Sequence, residues 1–166
     1  MDSLTATVSI SANGSAEGVD SDDLLSTSFP ASLSASLSST GTGGALADQV
    51  LWLPDRVLSS GANETHDLTS FTNALKESGA SLSIVRAWIV IHDAASAATS
   101  ITVGNAGTPF GGLMDTAATT ITLKPNRAFC FLAPAATGMA VTAGMGVKVA
   151  ATGGNATYTI GVWGEA

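Results

Sequence analysis

Apolar and polar residues alternate along residues 82–104, LSIVRAWIVIHDAASAATSITVG, and the rest of the chain is organised around that stretch. Val85, Ala87, Ile89 and Ile91 occupy one parity, while Ile84, Trp88 and Val90 share the other with Arg86 and His92. A period of two predicts strands, and a short Ala/Ser/Asp turn divides the stretch into a pair. A strand with one wet face alternates cleanly, but here both faces are apolar, so the strand is central and its second face needs a cover. Either the rest of the domain or a neighbouring subunit supplies it.

Weaker versions of the pattern run on either side. Residues 4–10 (LTATVSI) read as a half-buried strand, and after a glycine-containing acidic loop over 13–23 a second strand sets Leu33, Ala35 and Leu37 among serines. Residues 49–58 (QVLWLPDRVL) are apolar on both faces at their centre. Pro54 ends or bulges that strand, because proline cannot donate to a sheet ladder. Trp52 then has two possible homes, the core or an exposed interface, and the core is preferred. Residues 64–68 form a short strand that holds His66 at a surface position among Thr and Asp. Residues 71–77 (FTNALKE) have helical composition and stop at Ser78-Gly79, which predicts one two-turn helix plugging an end of the fold.

Beyond the central pair, the glycine-rich connection 105–114 carries Phe110, Leu113 and Met114 and is expected to pack down. Residues 119–123, 128–133, 139–143, 147–150 and 158–163 read as further strands. The last places Tyr158, Ile160 and Val162 on one face and Gly161 and Trp163 on the other. Nine or ten short strands with Gly and Ser between them predict an all-β fold. The expected architecture is a two-sheet antiparallel β-sandwich of jelly-roll or Greek-key type, with one short helix.

A length of 166 residues suits a single domain over 1–166, in which 1–39 form an N-terminal arm or outer strands. No apolar run approaches the roughly 20 residues that span a bilayer, so no membrane partner is expected. Six basic residues against thirteen acidic ones give a net charge of −7, which opposes phosphate backbones and predicts no nucleic-acid partner. The opening residues lack the basic start and apolar core of a secretory leader, so no export is expected. Cys130 is the only cysteine, which excludes an internal disulfide, and its setting AFCFLA is that of a small buried hydrophobe.

Candidate chemistry is sparse. His66 and His92 are the only possible histidine bases, and His92 is followed by Asp93, but successive strand residues point to opposite faces and do not form a dyad. His92 therefore reads as a satisfied strand-end histidine. Cys130 has no second Cys, and no cluster has zinc spacing. The acids of 13–23 lack the spacing and the closing Glu of a calcium loop, and residues 41–44 (GTGG) lack the Lys and Ser/Thr that complete a phosphate loop. Carboxylate pairs at Asp22-Asp23 and Glu64/Asp67 lie in polar settings. The sequence therefore predicts no catalytic residue, no cofactor and no metal ligand. A glycan platform remains an alternative if Trp52, Trp163 or Trp88 are displayed together.

From Ile89 to the C-terminus, the segments SITVGNAGTPFGGLMDTAATTITLKPNRAFCFLAPAATGMAVT and ATYTIGVWG resemble small virion proteins of tailed bacteriophages, especially capsid decoration or cement proteins. The likeness covers about half the chain and lies in the order of its strands and turns. It implies a β-sandwich protomer, usually a homotrimer, that sits on the outer capsid surface of the virion after synthesis in the bacterial cytoplasm. There it would stabilise contacts of the major capsid protein, without enzymatic activity. A glycan-binding adhesion module is the alternative, and a hydrolase depending on His92 is a third reading.

Overall fold

The computed structural model describes residues 5–20, 23–38, 49–73, 78–93, 97, 100–110, 113–114, 116, 118–133 and 138–166, the first two stretches as backbone alone. Thirteen strands run in chain order through them. They are β1 (Thr5–Asp20), β2 (Asp23–Ser38), β3 (Gln49–Leu58), β4 (Asn63–Asp67), β5 (Phe71–Thr72), β6 (Ser78–Ala80) and β7 (Ile84–His92), followed by β8 (Ser100–Asn105), β9 (Thr120–Leu123), β10 (Arg127–Leu132), β11 (Met139–Ala140), β12 (Gly146–Thr152) and β13 (Ala156–Glu165). Every pairing is antiparallel. No helix occurs among the described residues, and none is long and apolar enough to cross a membrane.

One sheet has the order β10-β7-β13-β3 with β11 also beside β7, and a second has the order β4-β12-β8-β9. The central position of β7 follows from its two apolar faces, since it pairs with β10 and β11 on one side and β13 on the other. The inner faces of both sheets share one hydrophobic cluster. Trp88 and Val90 of β7 and Tyr158, Ile160 and Val162 of β13 enter it from the first sheet, and Val103, Val147 and Val149 enter it from the second. The chain crosses repeatedly between the sheets, so its loops stitch the edges together.

Two features differ from the sequence expectation. The helix expected over 71–77 is not seen. Phe71–Thr72 and Ser78–Ala80 form a small ladder instead, and 74–77 lie outside the described residues. Helical composition is a weak bias, and here the two ends of the stretch pair with each other while Phe71 packs against the core. The loop expected over 13–23 is also replaced, because β1 runs unbroken to Asp20 and β2 starts at Asp23. Cross-strand pairs such as Asn13↔Pro30 and Gly14↔Phe29 carry the ladder through the glycines and the proline.

At Pro54 the strand is bulged and continues, the second of the two outcomes expected there. Leu53 pairs with Ile160 and Arg56 with Tyr158, so Pro54 and Asp55 together face Thr159. Asp55 takes a left-handed φ of 49° and donates its backbone N–H to Thr159 Oγ1 at 3.2 Å. The missing proline donor thus falls where the ladder is already interrupted. The connection after β8 packs down as expected. Phe110 and Met114 are fully buried, and Asn105 holds the segment by accepting from the Phe110 N–H and donating to the Thr116 carbonyl.

Candidate interaction surface

Alternation along the larger sheet decides which side chains face away from the core. On β13 the inward set is Tyr158, Ile160 and Val162, so Thr159, Gly161 and Trp163 face outward. The register then places Trp52 opposite Gly161, and Ile91 and Ile89 opposite Thr159 and Gly161. Cys130 and Ala128 continue the same face on β10, opposite Ile89 and Ile91, while Phe129 and Phe131 pack on the core. Apart from Thr159, the outward positions named on the four strands are therefore apolar. At strand spacings near 4.8 Å and about six residues of length, that face extends over roughly 400 Å².

That footprint falls within the roughly 300–600 Å² of the largest apolar patch on an ordinary monomer, a patch of the kind that often has a role. Trp52 is 42% exposed, Ile91 38% and Val57 67%. The preferred core position for Trp52 is thus corrected, because the core-facing places on β3 belong to Leu51 and Leu53. Trp163 lies between Val50 and Ala87, and its ring centroid is 5.9 Å from that of Trp52 at a tilt of 51°. Gly161 is the floor beneath both indoles. A Cβ there would stand 2.6 Å from Trp163 Cη2 and 2.8 Å from Trp52 Cε3, so only glycine admits the pair. Trp88 is buried and takes no part.

The second cluster of functional groups joins the two sheets. Tyr158 donates its hydroxyl proton to Glu64 Oε2 at 2.9 Å and stands 2.8 Å from His66 Nε2. A hydroxyl has one proton, so its oxygen accepts from His66 Nε2–H, which sets that tautomer. Arg56 pairs with Glu64 from the bulged end of β3. Burial and the hydrogen bond to Glu64 push the Tyr158 hydroxyl far above its ordinary value. Partial burial raises the Glu64 carboxyl, but the bonds from Arg56 and Tyr158 outweigh it and hold the group below its usual range. His66 is buried, which lowers its pKa against the opposing pull of Glu64. This corrects the surface position expected for His66, whose polar neighbours alternate outward while its own ring points in.

The lowered His66 gives a pH dependence of known sign. The unfolded chain takes up its imidazole proton near 6.5, where the folded chain does not. Stability is therefore complete above that value and declines as pH falls through it, at no more than about 1.4 kcal/mol per pH unit for one proton. Glu64 adds a further loss only below about its unfolded value of 4.5. Urea midpoints measured from pH 7.5 to 5.5 should fall for the native chain and stay nearly flat for His66→Gln, which keeps a donor for Tyr158. Parallel slopes in the two proteins would refute the assignment.

Other expected positions resolve differently. His92 is fully buried, and its Nδ1 lies 3.0 Å from the Leu123 carbonyl oxygen. Its Nε2 has no hydrogen-bond partner among the described residues. Asp67 accepts from the backbone N–H and hydroxyl of Thr69, a local turn contact, so the Glu64/Asp67 pair is divided between two different tasks. Cys130 is half-buried on the outer face, and burial raises its thiol pKa. Asp22 and residues 41–44 lie outside the described residues, and Asp23 opens β2. Among the described residues no group of three His, Cys, Asp or Glu side chains is arranged to hold a metal. Compared with known protein families, curated proteins and solved structures, the chain matches none.

Proposed function

We propose that the protein is a non-enzymatic virion structural protein that decorates and stabilises a tailed-phage capsid. In this reading the protomer is a β-sandwich of jelly-roll or Greek-key type. It assembles as a trimer on the outer capsid surface and works through contacts with its own copies and with the major capsid protein. The observation that carries the reading is the apolar outer face of the larger sheet, which carries the Trp52–Trp163 pair and is open among the described residues, since area of that kind is stable when another surface covers it. The net charge of −7 agrees with a protein that stays clear of packaged DNA.

Light scattering across a dilution series is the test. The expected native mass is three times the 16.4 kDa of one chain. Trp52→Asp should dissociate the trimer and, in co-sedimentation with phage shells stripped of this protein, reduce binding at least tenfold. A monomer at every concentration that also fails to bind shells would sink the proposal. The Trp52–Trp163 pair favours one further reading, because two adjacent indoles also stack on sugar rings. Glycan-array binding lost on Trp52→Ala or Trp163→Ala, with no affinity for shells, would establish a carbohydrate-binding module instead.

A further inference from the structure

β3 ends the strand order of the larger sheet and β4 ends that of the other. Between these two edges the sandwich stays open, and a cleft of about 330 Å³ lies there. Leu51, Leu53 and Phe71 supply its apolar walls, and His66, Asp67 and Ser70 are among the polar residues that line it. A volume of that size is at the lower end for small-molecule sites, enough for one ring and a short arm.

His66 gives the cleft its chemistry. The residue is 6% exposed, and its Nε2–H is committed to the Tyr158 oxygen. Tyr158 in turn gives its proton to Glu64, whose carboxylate Arg56 holds, so the order of donors along this chain keeps the imidazole proton on Nε2. Nδ1 is left with a lone pair and no hydrogen-bond partner among the described residues, in a ring that lines the cleft. A buried acceptor without a donor is unfavourable, so a molecule that enters with a proton to share gains more than its apolar contacts. Charge selects the donor. Asp67 is the only carboxylate along the cleft, no Lys or Arg lines it, and Asp67 pairs with no cation among the described residues.

We propose that the cleft binds a small primary amine with an aromatic body, its ammonium donating to His66 Nδ1 in the field of Asp67 and its ring lying against Leu51, Leu53 and Phe71. Decoration of a shell does not require this site, so the inference stands apart from that reading. Burial lowers the imidazole pKa, and at neutral pH the ring therefore carries no second proton to repel the ammonium. An alcohol of the same shape donates to Nδ1 but gains little from Asp67. A carboxylate has no proton to give and meets Asp67 as a like charge.

Phenethylamine, phenethyl alcohol and phenylacetate share a ring and differ in the group they present to His66. Each is titrated at neutral pH into the isotopically labelled full chain and followed by NMR. Half-saturation by the amine is expected at about 1 mM, the range for a ligand of this size. The alcohol should bind at least tenfold more weakly, and the acid should not saturate. The Nδ1 resonance of His66 should move upfield as it accepts the hydrogen bond, while that of His92, buried against the Leu123 carbonyl, stays fixed. Asp67→Asn keeps the acceptor for Thr69 and should weaken the amine at least fivefold, toward the alcohol. Ser70→Trp, at an exposed position on the rim, should abolish binding. Equal affinity for the three probes would overturn the proposal, as would saturation by the amine that leaves His66 Nδ1 unmoved. Undiminished affinity in Asp67→Asn or Ser70→Trp, or no binding of the amine at ten times the expected concentration, would do the same.

Discussion

Trp88→Ala is expected to lower the unfolding free energy by about 3–5 kcal/mol, the cost of emptying a large aromatic site in a core. For a chain of this length that corresponds to a melting temperature lower by roughly 10 °C. Trp88 is 1% exposed and points from the centre of β7 into the space between the sheets. Phe110 lies 5.3 Å from it and Phe129 lies 5.2 Å from it, the latter edge-on. The indole therefore joins β7 and β10 to the connection that follows β8. Its Nε1–H has no acceptor among the described residues. An unpaired buried donor costs about 1–3 kcal/mol, so Trp88→Phe should cost far less than the alanine variant despite its smaller ring. Trp52→Ala, on the open face, should lower the unfolding free energy of the monomer by about 1 kcal/mol, through loss of its pairing with Trp163. Equal losses at Trp88 and Trp52 would show that the inner and outer faces have been exchanged.

The contrast between these tryptophans shows how far the sequence could be read. Period 2 located β7 and β13 and predicted that the second face of β7, with Ile84, Trp88 and Val90, would need a cover, whereas Trp88 and Val90 lie in the core and Ile91 is on the open side. It also placed Gly161 and Trp163 opposite Tyr158, Ile160 and Val162. Alternation cannot say which of two apolar faces is covered, so Trp52 was assigned to the core that Leu51 and Leu53 occupy. The β1–β2 ribbon was half legible. Its apolar alternation continues past Ile10 as Ala12, Gly14, Ala16 and Gly18, but small residues carry little signal and the acids suggested a loop. Residues 71–77 misled in the opposite direction, with helix-forming residues between two ends that pair as strands.

The polar cluster left the faintest trace in the sequence. His66 lies among Thr65, Asp67 and Asn63, and its burial follows from a partner ninety-two residues away. One clue was present. Tyr158 heads an inward parity with Ile160 and Val162, and a buried phenol needs an acceptor. Among the nearby candidates, Glu64 and His66 share a parity on one strand and can reach such a hydroxyl together. The pairing of β4 with β12, and of β13 with β3, brings them within reach, and neither pairing can be deduced from local pattern.

Glu165→Ala is expected to cost about 3 kcal/mol, although Glu165 is partly open to solvent. Its carboxylate accepts from Arg86 Nε at 2.9 Å and from Nη2 of the same guanidinium. Arg86 is only 3% exposed. Removing the carboxylate leaves a buried cation short of its counter-charge, and desolvation then works against the fold. Replacing both residues with apolar ones, as Arg86→Met with Glu165→Leu, removes the cation as well and should recover most of the loss. The site also fixes a boundary of the apolar face. Arg86 lies where the register between β7 and β13 shifts, and Ser83 ties the chain end by donating its backbone N–H to the Glu165 carbonyl and its hydroxyl to the Ala166 carbonyl. Chemical denaturation of the two single variants and the double variant is the decisive measurement. Additive losses would mean that the pair contributes as two separate groups, whereas recovery in the double variant identifies the guanidinium deprived of Glu165 as the source of the cost.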